Sequence, residues 1–143
     1  MKISTKGRYA IRLMLDLAIH NDEGYISIKT IAQRQGISEK YLEQIIKMLS
    51  NNQLVESIRG ANGGYKLTRE PENYTVGEIL RVTEGSLAPV ACLETEENSC
   101  EYCMDCVTLD IYKKILDAVN NVVDSITLKS LVDKHREKEK DTL

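Results

Sequence analysis

All four cysteines of this 143-residue chain lie within fifteen residues: Cys92, Cys100, Cys103 and Cys106, the last three at every third position. Four thiols in one loop offer few kinds of chemistry. Disulfides across two-residue spacers fit poorly, because cysteines so close in sequence seldom reach the geometry of a bridge except as reactive CxxC pairs. Metal or cluster ligation suits the spacing better, since a tight loop can aim successive sulfurs at one centre, as in zinc sites and ferredoxin runs. A thiol redox switch is the remaining chemical use, and an accident of composition is the bland one. The same loop carries Glu94, Glu96, Glu97, Glu101 and Asp105. Acids beside thiols disfavour the free thiolate, so the loop reads as one that gains from a bound cation.

The bulk of the chain bounds what surrounds this loop. With 42% apolar residues it can bury one core, as a single domain or a small domain with an appendage. The apolar run near the start is broken by Arg12 and Asp16, which argues against a signal peptide, and no stretch has the length of a membrane span. The expectation is a cytoplasmic protein without a membrane partner, whose cysteines stay reduced. Charge is divided unevenly: residues 1–70 hold eleven Lys or Arg against seven Asp or Glu, and residues 71–143 hold eight against fifteen. A basic front and an acidic back suit a protein whose front alone meets a polyanion. The two histidines, His20 and His135, belong to no set of nucleophile, base and orienting group, so neither catalysis nor a small-molecule substrate is expected.

The elements that must position the loop follow from periodicity. Tyr9, Ala10, Leu13, Met14 and Leu17 repeat at helical spacing, predicting a helix from Ser4 to about His20. Lys2, Lys6, Arg8 and Arg12 gather near its start, where cations oppose the helix dipole and phosphate contact would compensate them. Ser27 caps a second helix to Gln35, and Ser38 caps a third, Glu39 to about Ser50, with Gly36-Ile37-Ser38 as the sharp turn between. Leu54 to Ile58 and Tyr65 to Leu67 read as strands around the turn Arg59-Gly60-Ala61-Asn62-Gly63-Gly64. The expected fold class is therefore mainly α with a small β-wing: a winged helix-turn-helix head and a long dimerisation helix.

In that arrangement the third helix faces the major groove. Ser38, Lys40, Tyr41, Glu43, Gln44 and Lys47 form its solvent side. Gln44 matches adenine, Glu43 a cytosine amino group, and Lys40, Tyr41 and Lys47 phosphates or guanine. A Glu43–Lys47 surface pair at four-residue spacing is the competing use of that carboxylate. Arg59 and Gly60 form the wing's approach to the minor groove, and Lys6 and Arg8 add backbone contacts. Double-stranded DNA is the expected partner.

Behind the head, Thr75-Val76-Gly77-Glu78 is a capping box that opens a helix through Glu84. A long helix from Thr108 to about Ser125 carries Leu109, Tyr112, Leu116, Val119 and Val123 in three-four alternation, with Ile111, Ile115 and Val122 widening the stripe. Such a face predicts pairing with a second copy across a twofold axis. A short last helix, Thr127 to Lys134, and a frayed charged tail complete the chain. The division is a head over 1–84, a linker and cysteine loop over 85–107, the dimer and last helices over 108–134, and a tail over 135–143.

Three runs carry a family likeness: Met1-Lys2-Ile3-Ser4-Thr5-Lys6-Gly7-Arg8-Tyr9-Ala10, Ile37-Ser38-Glu39-Lys40-Tyr41-Leu42-Glu43-Gln44 and Ile58-Arg59-Gly60-Ala61-Asn62-Gly63-Gly64-Tyr65. With them the chain resembles the IscR-like winged-helix regulators, the Rrf-two family. The resemblance implies a homodimeric transcription factor, a repressor or dual regulator, in which Cys92, Cys100 and Cys106 hold an iron–sulfur cluster that tunes DNA binding. Members similar to IscR take a histidine three residues past the last cysteine as fourth ligand, and that place here is Leu109. Where relatives borrow a carboxylate from the partner's first helix, this chain has Arg8. Cys103 is accordingly the candidate fourth ligand. Cysteine-only ligation serves both two-iron and four-iron clusters and lowers the potential relative to a histidine-containing site. A zinc-bound or thiol-switch regulator of the same fold, and a small electron-transfer protein, are the alternative readings.

Overall fold

The computed structural model describes residues 2–142, so the leading Met1 of the first family motif and the final Leu143 of the tail lie outside the described residues. Six α-helices and one hairpin follow in order: α1 Thr5–Ile19, α2 Ile28–Gln35, α3 Glu39–Asn51, β1 Val55–Ile58, β2 Gly64–Leu67, α4 Val76–Glu84, α5 Leu109–Ser125 and α6 Leu128–Thr142. The architecture is mainly helical with a two-stranded wing, as the sequence predicts.

Each helix of the head starts where a hydroxyl satisfies an otherwise unpaired amide. Ser4 accepts from Gly7, Ser27 from Thr30, Ser38 from Tyr41 and Thr75 from Glu78. The turn between α2 and α3 needs a left-handed residue, and Gly36 supplies it at φ 64°. Leu13, Met14 and Leu17 of α1, Ile31 of α2 and Leu42, Ile45, Ile46 and Leu49 of α3 form one fully buried core. Each such side chain removed from water contributes about 1.5–3 kcal/mol, enough that the three helices hold as a unit.

Inside that apolar packing lies one carboxylate. Asp16 is 2% exposed and accepts from Arg34 Nε and Nη2, at 3.0 and 2.6 Å, and from Gln35 Nε2 at 2.9 Å. The pair holds the Arg34 guanidinium firmly charged, chiefly through its hydrogen bond to Asp16. Gln35 in turn accepts from Arg12 Nε at 3.1 Å through its side chain and from Arg12 Nη2 through its carbonyl. Helices α1 and α2 are thus pinned next to the turn that orients α3.

The hairpin pairs Val55 with Leu67 through Ile58 with Gly64, and its second strand gains a further neighbour in the Ile26–Tyr65 bridge. Ile26 is the one bridging residue in the segment between α1 and α2. Two strands of four residues are marginal by themselves, so the wing depends on such anchors.

The last helix departs from expectation. It runs from Leu128 to Thr142, not to Lys134, and so includes the residues 135–142 predicted to fray. The reason is local: Arg, Glu and Lys are good helix formers, and side chains bond one turn apart in the Lys129–Asp133 ion pair and the His135–Glu139 contact. Nor is α6 an appendage, because Leu128 and Val132 are 0% and 3% exposed within the head core.

Replacing Asp16 by Ala leaves Arg34 and Gln35 without their shared acceptor. We expect a loss of about 2–3 kcal/mol of folding stability, discounted for the partial exposure of Arg34. Urea unfolding measures it, and a loss under 0.5 kcal/mol would show that the clamp contributes little.

Candidate functional site

The side chains expected to meet DNA are carried by α3 and the hairpin turn. Ser38, Lys40, Glu43, Gln44 and Lys47 are exposed along one side of α3, opposite Leu42, Ile45, Ile46 and Leu49. Ser38 uses an oxygen lone pair to cap the helix, accepting from the Tyr41 amide at 3.2 Å. Its hydroxyl hydrogen remains able to donate outward. Tyr41 is half-buried, its ring edge-on to Tyr9 at 5.7 Å, so it packs α3 on α1 as well as bordering the surface. Arg59 and Gly60 are exposed at the start of the wing's turn, which the Gly63 amide closes by donating to the Gly60 carbonyl at 3.0 Å.

The first turn of α1 adds Lys6, half-buried, and Arg8, exposed and donating to Thr5 Oγ1 at 3.0 Å. Arg12 belongs to the same surface although sequence reasoning stopped at naming it in a basic cluster. It lies 5.4 Å over the Tyr9 ring and is fixed by Gln35, so a cation is held beside the N-terminal half of α3. The signal available was Asp16, a carboxylate inside an apolar stripe, which calls for donors; it finds them in Arg34 and Gln35, and Gln35 in turn holds Arg12.

The cysteine loop leaves α4 through Gly85 and reaches α5 at Leu109. Its entry is fastened to α1, since Ser4 donates from both its amide (3.2 Å) and its hydroxyl (2.6 Å) to Glu84 Oε1. Its exit is fastened by the burial of Leu109, which is 8% exposed. Between these points Leu87 packs against the α4–α5 contact, Cys92 lies in a short turn at Ala91–Leu93, and further on the Cys103 amide donates to the Cys100 carbonyl at 3.2 Å and the Asp105 amide to the Tyr102 carbonyl at 3.1 Å. All four cysteines are free and half-buried. Four soft thiols match a thiolate-ligated centre in chemistry. In position they are not gathered: among the described residues no three His, Cys, Asp or Glu side chains converge on one point.

Cys106 differs from the expectation for thiols among acids. Its thiol is held below the usual range, first by a 3.4 Å contact with the Thr108 hydroxyl and then by the Leu109 and Thr108 amides at the start of α5. A helix N-terminus stabilises a thiolate in this way.

The stripe on α5 divides in two. Leu109 and Val123 are buried, and Val119 and Val123 pack with Val76 and Leu80 of α4, so this side meets the chain's own head. Tyr112 and Leu116 are half-buried on the same side. Close approach is possible because position 77 is Gly: a Cβ there would lie 2.0 Å from Asp124 Oδ1. Arg81 locks the contact with bonds to Asp124 (2.6 and 2.9 Å) and Asn120 (2.7 Å), which holds the Asp124 carboxyl below its ordinary value. Exposed instead are Ile111 (55%), Ile115 (36%) and Val122 (58%).

A helix-turn-helix followed by a docked hairpin, with a polar helix face and an arginine turn on one side, defines a winged-helix DNA-binding protein. The chain matches the family described as "Rrf2: Iron-dependent Transcriptional regulator" over residues 3–134, and it belongs to that family. It is 48% identical over 131 residues to the HTH-type transcriptional regulator CymR of Bacillus subtilis, covering 92% of this chain and 89% of that one. Among solved structures it is similar to CymR, the global cysteine regulator of B. subtilis, with TM-score 0.77 and 44% identity over 94% of this chain and 98% of that one. It is also similar to T. potens IscR, with TM-score 0.78 and 42% identity over 96% and 90% of the two chains. No described helix is long and apolar enough to cross a membrane.

Two substitutions on α3 separate base reading from backbone contact. Glu43→Ala is expected to relax preference at one base position by about 1–3 kcal/mol, measured across a mutated operator series. Lys47→Ala is expected to weaken all duplexes alike and to lower the salt slope by about one. Unchanged base preference in Glu43→Ala removes Glu43 from readout.

Proposed function

We propose that this protein is a cytoplasmic homodimeric repressor that reads double-stranded DNA through α3 and the wing, and whose DNA binding responds to an iron–sulfur cluster held by Cys92, Cys100, Cys103 and Cys106. The observation carrying this reading is the position of the four-thiol loop, strung between α4, which packs on the head, and α5, whose Ile111, Ile115 and Val122 stripe is free. Held by those four thiols, such a cluster would supply a redox- and oxygen-sensitive charge to the loop.

The chain's own residues convert loop posture into DNA grip. Glu84 holds the loop's entry to the start of α1, and Leu109 makes its exit the first turn of α5. A change in the loop's span therefore bears on α5, which Arg81, Asp124 and Asn120 join to α4. In a twofold dimer the two α3 helices must meet half-sites about 34 Å apart or a multiple of it, so a small rotation of α5 changes affinity. The free stripe is spaced for pairing with itself: Ile111, Ile115, Ala118 and Val122 follow the four-three-four rhythm of a helix–helix seam.

A thiol-switch reading of the same fold is favoured by one observation, the contact of the Cys106 thiol with the Thr108 hydroxyl at the start of α5, and agrees with the likeness to a cysteine regulator. Zinc in the same four thiols is the other variant.

Anaerobic purification or reconstitution is expected to give visible sulfide-to-iron absorption, with iron and sulfide in equal number. A colourless anaerobic protein that takes up zinc stoichiometrically would favour the zinc reading, and one that binds no metal would favour the thiol switch. Ile115→Glu with Val122→Glu is expected to yield a monomer in sedimentation and to weaken DNA binding at least tenfold. A dimer that survives both changes places the interface elsewhere.

A further inference from the structure

We infer that Tyr74 is a positioning residue that ties the posture of the wing to the corner between α5 and α6. Tyr74 is fully buried. Its hydroxyl accepts from the Thr68 amide at 2.9 Å and the Arg69 amide at 3.0 Å, and donates to the Leu54 carbonyl at 2.7 Å. Leu54 immediately precedes β1, and Thr68 and Arg69 immediately follow β2. One oxygen thus holds both roots of the hairpin, its single donor and both lone pairs in use.

The surroundings extend the hold to the end of α3. Thr68 Oγ1, 3.0 Å from the Tyr74 hydroxyl, donates to the Gln53 carbonyl at 2.8 Å, in the turn where Gln53 takes φ 61°. The Arg69 guanidinium covers the Tyr74 ring at 4.3 Å and bonds the Asn73 carbonyl and Glu78. The backbone of Tyr74 faces the other way. Its carbonyl accepts from the Leu128 amide at 3.1 Å, and two residues on the Val76 amide donates to the Ile126 carbonyl at 2.9 Å. The side chain therefore grips the wing while the main chain grips the corner where α5 ends and α6 begins.

A ring alone would fill this core. The hydroxyl is what makes the site a joint, and a two-stranded hairpin has little stability of its own to set its angle. Other anchors, the Ile26–Tyr65 bridge and the bond from the Tyr25 hydroxyl to Glu56 at 3.0 Å, connect it to the segment before α2, and Tyr74 supplies a connection toward α5.

Tyr74→Phe removes the oxygen and keeps the ring. In native-state hydrogen exchange of the full chain, the Thr68 and Arg69 amides are expected to exchange about tenfold faster in the variant, having lost their acceptor. The Leu128 amide is expected to stay within about twofold of wild type, so wing and corner no longer open as one unit. Equal acceleration at all three amides would mean a contribution to global stability only, and unchanged wing exchange would mean none; either overturns the inference. A second arm rests on the DNA-binding reading and uses a duplex selected from a random pool by the wild-type protein. There Tyr74→Phe is expected to weaken binding about fivefold in the wild-type background and under twofold in Arg59→Ala, because it acts through the wing. Losses that multiply would overturn action through Arg59. If Arg59→Ala itself binds like wild type, the wing's DNA role fails while the exchange arm still decides the role of Tyr74.

Discussion

Everything in this molecule depends on a short pairing between two backbone segments far apart in sequence. Around the Thr75–Thr127 bridge, the Val76 amide donates to Ile126 and the Leu128 amide donates to Tyr74. The pairing makes α4 a shared wall: Ile79 faces the head core, while Val76 and Leu80 face Val119 and Val123 of α5. It also sends α6 back across the head, where Leu128 and Val132 complete the core. Without this junction α5 would be a lever with no fulcrum. With it, the long helix and the wing roots are joined to one packed unit, and the cysteine loop leaves that unit through the end of α4.

The division of charge follows the same geometry. Basic side chains gather on the first turn of α1, on α3 and at Arg59, and the acidic excess is concentrated in the cysteine loop and beyond. A polyanion would be attracted to the head and repelled by the loop, which separates the surface proposed to read DNA from the segment proposed to sense. The clamp between partly exposed Arg34 and buried Asp16 serves the first of these by fixing α2 beside the turn into α3. Arg81 and Asp124 serve the second by fixing α5 against α4.

Much of this was legible from residue types. Serine and threonine caps, the glycine turn and the three-four stripes fixed where α1 to α5 begin and end, since those signals are local. The third-helix face was equally readable, because exposure follows from the helical period once the buried side is known. Less legible were contacts made at a distance. Val119 and Val123 looked free for a partner, but periodicity reports that a face is buried, not against what; α4 of the same chain takes them, and the adjoining Ile111, Ile115 and Val122 are left exposed. The reach of α6 was underestimated because its last residues are charged, and charge alone does not end a helix whose pairs sit one turn apart. Tyr74 gave no sign at all, since a single tyrosine between a turn and a capping box has no period to reveal it.

The central claim is that the state of the cysteine loop, bearing on α5 at Leu109, sets how the head grips DNA. It is tested most directly by titrating one selected duplex, under anaerobic conditions and at fixed salt, with the metal-loaded wild type and with a variant in which Cys92, Cys100 and Cys106 are all serine. The account predicts dissociation constants at least tenfold apart, a coupling of about 1.4 kcal/mol. Equal affinity and equal site preference for the two proteins would contradict it.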